Sequence, residues 1–395
     1  MRKTLNLVLI ALLVCLQFCS RDHNSANSIV KCPEITSIDL PMGVPGNTVI
    51  TITGKNFGTN ASAVAVFFNG IQATINSLAD TAIKVIVPLN AATGKISVVI
   101  NNCTVKSQDD FIIITQAMAD KWKRRADFPY PIISTVSFSI NGKGYVATGY
   151  NEINSIRDLH EYNPLTNQWI KKSDKPGDGR SGATIIVADS KAYFIAGNGS
   201  KDFFEYNPAT DQWKQKTDFP GAGRGWAKGF SINNKLYFGI GSPLLGEQFK
   251  DWWEYDPVID QWNQKANFPG TEVRNGNAIS INDKGYLGLG AESGEWWQYD
   301  AAADTWTRKK DLPGPVKFGA VSFSFNGKGY IIAGATNACW EYDPVTDNWT
   351  SRIPFFTSRS VGAGFVIGSK AYFGTGASLE TYILAKDFWE FDPTQ

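Results

Sequence analysis

The sequence predicts an all-β protein: a six-bladed β-propeller closed by an N-terminal strand, with a small β-sandwich ahead of it. Three observations carry that prediction. One phrase recurs as EYNPLTNQW (161–169), EYNPATDQW (205–213), EYDPVIDQW (254–262), QYDAAADTW (298–306) and EYDPVTDNW (341–349), with a sixth copy, EFDPTQ, ending at Gln395. The tryptophans at 122, 169, 213, 262, 306 and 349 are separated by 47, 44, 49, 44 and 43 residues. A period of that size in a β-rich chain marks a repeat architecture of propeller or solenoid type. Finally, the sixth unit stops before its Trp, while KWKRRADFP (121–129) nearly repeats QWKQKTDFP (212–220). The N-terminal piece therefore supplies the missing outer strand of the last blade and closes the ring, and closure removes exposed sheet edges.

Taken from the N-terminus, residues 1–19 read as a secretory signal: Arg2 and Lys3 precede an apolar run from Leu5 to Phe18 that is short for a bilayer span. Residues 20–32 form a linker. Residues 33–116 carry short alternating runs, VITITG (49–54), AVAVFFNG (63–70), AIKVIVP (82–88), KISVVI (95–100) and DFIII (110–114), spaced as in a β-sandwich. From 117 to 395 each period reads as four strands, a to d. Unit three shows them as GWAKGFSI (225–232), KLYFGIG (235–241), DWWEYDP (251–257) and QWNQKAN (261–267). The a–b turns (NGKG, ADSK, INNK, INDK, NGKG, IGSK) hold the Asn, Asp and Gly that tight hairpins require. A glycine follows the strand-b Tyr by four residues in every unit, at 149, 197, 241, 290, 334 and 376, which points to a close approach of chains there.

These phrases resemble the kelch repeat, with its Gly-rich end of strand b, Tyr-Asp in strand c and Trp in strand d. One departure stands out. Kelch units usually have a Gly pair after strand b, whereas the second position here is Tyr150, Asn198, Ser242, Ala291, Ala335 or Ala377. The N-terminal phrases ITSIDLP, GNTVITITGKNFG, VFFNGIQATI, ADTAIKVIVP and TGKISVVI resemble the IPT/TIG family of immunoglobulin-like modules, which implies a spacer, glycan-binding or interaction role. Cys19 closes the apolar run, and LQFC is similar to the looser lipoprotein signals of Bacteroidota. That resemblance implies lipidation at Cys19 and attachment to the outer membrane, with cell-surface exposure. The alternative is an ordinary signal peptide with two incidental cysteines.

Composition narrows the function classes. A formal charge of +1 gives no general attraction to nucleic acid, so no nucleic-acid partner is expected. Beyond Cys15 and Cys19 the chain has Cys32, Cys103 and Cys339. Cys32 opens the sandwich and Cys103 sits at the hairpin before its last strand. A disulfide between them and a pair of buried thiols both remain open for an exported chain. Galactose oxidase shares this propeller type, but its copper needs two histidines. This chain has only His23, near the signal, and His160, where other units place Phe204, Trp253, Trp297, Trp340 and Trp389. His160 reads as a packing residue, and neither a copper oxidase nor a Ser-His-Asp triad is supported. No cofactor or metal is expected, and the c–d turn carboxylates read as Asx turns.

The meander puts the uniform a–b and c–d turns on one face and the variable b–c and d–a segments on the other, where function is expected. Thirteen residues before the strand-b Tyr stand Arg180, Arg224, Lys317 and Arg359, with Arg274 one position off and Ile132 in unit one. Such cations at the channel mouth would favour an anionic ligand, with Trp226 as a stacking face and Glu152, Arg157, Glu247 and Glu380 nearby. Equally, the arginines can serve as fasteners between blades. The chain reads as a binding module for a glycan, acidic ones included, or for a protein partner. The alternative is a carbohydrate-active enzyme: a kelch-type sialic-acid mutarotase, or a polysaccharide hydrolase or lyase. The mutarotase family's long insertion among its blades is absent here.

Overall fold

The computed structural model describes residues 31–243, 248–271, 275–290, 293–314, 319–334, 336–378 and 383–393. Its N-terminal unit is a sandwich of two sheets. One sheet orders the strands Glu34–Ile38, Val49–Lys55, Ala82–Ile86 and Thr74–Ala79; the other orders Met42–Gly43, Cys103–Ile113, Gly94–Ile100, Val64–Phe68 and Ile71–Gln72. Alternation along these strands turns Ile50, Ile52, Val66, Phe68, Ile83, Val85, Ile96 and Val98 into one core, every one of them essentially inaccessible to water. Met42–Gly43 runs parallel to Ile112–Ile113, so the second strand of the unit shares a sheet with its last. A disulfide joins Cys32, just before the first strand, to Cys103 at the start of the last.

A six-residue helix, Gln116–Lys121, capped by the Thr115 hydroxyl accepting from the Met118 amide, leads into the ring. This helix has no counterpart in the sequence reading. Six four-stranded antiparallel sheets follow. Their strands a are Val136–Ile140, Thr184–Ala188, Lys228–Ile232, Asn277–Ile281, Val321–Phe325 and Ala363–Ile367. Each strand a lies against strand a of both neighbours, and 363–367 meets 136–140, so the ring is closed. The outer strand of blade six is Trp122–Arg125, paired antiparallel with Phe388–Phe391, as the repeat arithmetic requires. Trp122 stacks on Phe391 at 4.6 Å, packs edge-on to Phe355 at 4.9 Å and donates to the Pro354 carbonyl. The cluster around Trp122 also takes in Ile114, with Met42, Val44, Ile112 and Met118 against it, so sandwich residues pack on blades five and six.

The repeated phrase is a latch between blades. In blade three the Tyr255 hydroxyl donates to Asp260 (2.5 Å), and Asp260 also accepts the Thr217 amide of the preceding blade (3.1 Å). The indole of Trp262 donates back to the Thr217 carbonyl at 2.9 Å. The same triple recurs with Tyr162, Asn167 and Trp169 on Ala126, with Tyr206, Asp211 and Trp213 on Ser173, with Tyr299, Asp304 and Trp306 on Ala266, and with Tyr342, Asp347 and Trp349 on Lys310. The first Asn or Asp of each phrase accepts the amide two residues on, as Asp256 does from Val258 (2.9 Å), forming an Asx turn. The turn carboxylates are thus structural.

Candidate functional site

The six strands a surround a central channel. Its opening on the b–c/d–a side is lined by residues entering strand a from every blade, among them Ser134, Thr135, Ala183, Trp226, Lys228 and Asn275. A second segment of about 620 Å³, further along strand a, is walled by Val136, Thr184, Lys228, Ala278, Val321 and Gly364 and their neighbours. Small residues at this rim (Gly182, Ala183, Gly319, Ala320, Gly362) leave the opening wide.

The recurring arginines that the structure describes, Arg180, Arg224 and Arg359, line neither channel segment. Arg224 is 1% exposed. Its guanidinium grips the Asp251 carboxylate with two hydrogen bonds (2.7 and 2.8 Å) and donates to the Ile240 carbonyl (3.0 Å) and, through Nε, to the Ala222 carbonyl (3.0 Å). Phe219 and Phe249 lie across it at 4.7 and 4.3 Å. Its own carbonyl accepts from Gly197 of blade two at 2.9 Å, so one residue ties two blades together. Arg359 does the same, from the Gly334 amide (2.8 Å) of blade five to Asp387 (2.6 and 3.2 Å) and the Thr375 carbonyl of blade six. Burial pushes the Asp387 carboxyl up, but the Arg359 charge outweighs it and holds the group below its usual range. Arg180 links Gly149 of blade one to Asp202 and the Ala196 carbonyl of blade two. In blade one Ile132 keeps only the backbone half of this arrangement, accepting from Gly376 at 2.8 Å. The spacing had left open whether these arginines face a ligand. The geometry commits their side-chain donors to carboxylate and carbonyl partners within their own blade, while their backbone carbonyls tie to the preceding one; a buried guanidinium without such partners is costly.

The same latch explains the strand-b glycine. Gly197, at φ +94°, turns its amide toward Arg224, and a Cβ there would stand 2.8–2.9 Å from Arg180 and Ala183.

The other sequence-predicted residues distribute as follows. Trp226 lines the channel mouth with φ 54°. Its amide donates to the Gly182 carbonyl (2.7 Å), its carbonyl accepts from Asn275 (3.3 Å), and a Cβ on Gly182 would lie 3.2 Å from the indole nitrogen. Glu152 sits exposed on the b–c loop of blade one at φ 76°, and Arg157 pairs at 3.5 Å with Asp174 at the surface. Neither lines the channel segments. Arg274, Lys317, Glu247, Glu380 and Cys19 lie outside the described residues. His160 is buried with its ring edge-on to Phe128 (5.0 Å) and Tyr130 (5.7 Å), and burial lowers its pKa, so it packs as a neutral ring. Cys339 is fully buried with its thiol pushed up to about 12 by burial, and is chemically quiet. Among the described residues no group of three His, Cys, Asp or Glu could hold a metal.

Sequence reasoning missed Lys228. It opens strand a of blade three, where the other blades place Val136, Thr184, Asn277, Val321 and Ala363. It lines both channel segments, and among the residues described there it is the one ionisable side chain. The channel walls desolvate its ammonium and lower its pKa to about 8, with no neighbouring charge contributing. The signal was a single charged residue in a column of apolar and small polar ones.

Comparison with known proteins agrees with this architecture. Residues 33–112 match the model of the IPT/TIG domain. Part of the chain is 30% identical over 162 residues to N-acetylneuraminate epimerase of Escherichia coli O1:K1 / APEC, covering 38% of this chain and 38% of that protein. It is likewise 30% identical over 148 residues to the N-acetylneuraminate epimerase of E. coli strain K12 and over 147 residues to that of Shigella flexneri serotype 5b (strain 8401). The chain spans 38% of the length of these curated relatives. Among solved structures, that of YjhT superposes with a TM-score of 0.57 at 14% identity, covering 67% of this chain and 95% of that one, which is a likeness of fold. The chain thus carries an IPT/TIG domain followed by a six-bladed, kelch-type β-propeller.

Proposed function

We propose that this protein is an exported carbohydrate-recognising module whose propeller takes an acidic sugar at the channel mouth on the b–c/d–a side. The observation that carries the reading is the local similarity to proteins named N-acetylneuraminate epimerase, and N-acetylneuraminate is an acidic sugar. The geometry supports it. A polar mouth gathers residues from all six blades, Trp226 offers an aromatic face, and a cationic side chain lies just inside. The arginines at 180, 224 and 359 serve this site by holding the loops that form it. The IPT/TIG domain acts as a stalk. Export is supported by Arg2, Lys3 and the following apolar run, and by a disulfide of the kind oxidising compartments maintain. In this reading Cys19 carries the lipid that holds the protein at the outer membrane.

The same relatives favour a second reading, in which the mouth also speeds exchange between the anomers of the bound sugar. Anomer exchange breaks the bond between the anomeric carbon and the ring oxygen as the anomeric hydroxyl loses a proton and the ring oxygen gains one, then re-forms it on the other face of the carbonyl, with no group leaving and no change of oxidation state. A propeller hosts unrelated functions, so the site decides between the two. NMR of N-acetylneuraminate with the full chain separates them. Saturation transfer to the sugar supports recognition; faster exchange between its anomeric signals adds catalysis. A sugar that shows neither at millimolar concentration refutes the proposal.

A further inference from the structure

We infer that the central channel is a carboxylate-binding site whose anion-holding group is the Lys228 ammonium. The inference deepens the acidic-sugar reading by naming the group that takes the sugar's charged end, and it rests on that reading for the identity of the full ligand alone. Its footing is a contrast between this lysine, which is partly exposed to the channel, and the buried cations of the blades. Arg180, Arg224 and Arg359 each have a carboxylate and a carbonyl partner. Lys175, wholly buried, has Asp202 at 3.8 Å and the face of Phe204 at 4.7 Å. The Lys228 side chain has no hydrogen bond or ion pair among the described residues, while the channel walls partly desolvate it. A positive charge partly withdrawn from water without a partner does not help the fold, and the other five blades fill this position with Val, Thr, Asn or Ala.

The surroundings fit a small anion. No acidic side chain among the described residues lines either channel segment, so none of them neutralises the ammonium. Thr135, which lines both segments, has a hydroxyl with no partner. Asn277, at the same register position in the adjoining blade and 2% exposed, leaves both ends of its carboxamide unpaired. A carboxylate beside the ammonium, with a hydroxyl donor nearby, satisfies charge and hydrogen bonding together. The pH dependence follows. Burial lowers the lysine's pKa, so the cation is present below about pH 8 and lost above it. Carboxylate binding is full at neutral pH and falls as pH rises through about 8. A bound anion raises the midpoint, because it favours the charged form.

The test is an NMR titration of the full chain carrying isotope-labelled lysine side chains, with Lys228→Met assigning the resonance and sodium acetate as the first probe. Acetate is expected to shift the Lys228 signal and raise its titration midpoint. Lys228→Met is expected to weaken acetate and N-acetylneuraminate binding about ten- to a hundredfold at pH 7, with Lys228→Arg retaining most of it. Lys228→Met is also expected to melt at or above the parent's temperature near pH 7, which a structural lysine would not allow. Acetate that leaves the Lys228 signal unmoved overturns the inference whether or not the variants fold. N-acetylneuraminate held equally by parent and Lys228→Met also overturns it, while sparing the acidic-sugar reading. Acetate held at Lys228 with N-acetylneuraminate ignored upholds the channel site and removes that sugar as the ligand.

Discussion

Replacing Arg224 with alanine separates a blade fastener from a ligand-facing cation. The substitution deletes two hydrogen bonds to Asp251 and two to backbone carbonyls, and it strips two phenylalanine faces of their cation. It also leaves Asp251, 22% exposed, without its counter-charge. Removing one partner of a buried pair costs roughly 3–5 kcal/mol. The partial access of Asp251 to water places the expected loss near the lower end, at about 3 kcal/mol. For a unit of this size each kcal/mol moves the melting temperature by about 2–4 °C, so a drop of roughly 6–12 °C is expected. Scanning calorimetry of the parent, Arg224→Ala, Asp251→Ala and the double variant gives the coupling directly. The double variant should lose much less than the sum of the single losses, because the second substitution removes a group already stranded. A single-variant melting temperature within a degree of the parent's, or strictly additive losses, would refute the assignment.

Deleting residues 117–129 removes the outer strand of blade six and exposes Phe388–Phe391 as an edge, so aggregation or a large thermal destabilisation is expected; a truncated chain melting like the parent contradicts the closure. Burial pushes the Glu341 carboxyl up, but hydrogen bonds from Arg352, Lys328 and Tyr330 outweigh it and bring the group down to about 2. Its folded pKa lies below the ordinary glutamate value of 4.5, so its stabilisation is complete above about pH 4.5 and is lost as pH falls toward 2. Glu341→Gln should therefore flatten the acid limb of the stability curve, and an unchanged limb contradicts the pairing. Breaking the Cys32–Cys103 link by paired serine substitution, across a separation of 71 residues, should cost about 4 kcal/mol in the sandwich transition. No change in that transition under non-reducing conditions would show the bond to be absent.

The fold was legible because one phrase states its own chemistry in five full copies. Tyr, Asp and Trp at fixed offsets form a hydrogen-bonded latch, and a latch that must meet its neighbour in every blade cannot drift in sequence position. The missing sixth Trp located the closing strand by the same logic. The site was legible only as a face. The recurring Arg is visible at its spacing, but its partner is not. Arg180 reaches Asp202, 22 residues on, Arg224 reaches Asp251, 27 on, and Arg359 reaches Asp387, 28 on, because b–c loops of different length lie between. Irregular spacing hides a pairing that geometry makes uniform. Lys228 escaped notice for a different reason. A single lysine at the start of a strand looks like ordinary surface, and only closure of six strands a around one axis turns that position inward. The helix Gln116–Lys121 is too short to show a period.

The central claim is that the channel mouth holds an acidic sugar by its carboxylate. Saturation-transfer NMR with N-acetylneuraminate and its methyl ester, each with the full chain at pH 7, tests it most directly. The account predicts transfer to the free acid, loss of most of it with the ester, and loss of it again as the pH is raised past about 8, where the Lys228 ammonium discharges. Equal transfer to acid and ester, independent of pH, would contradict it.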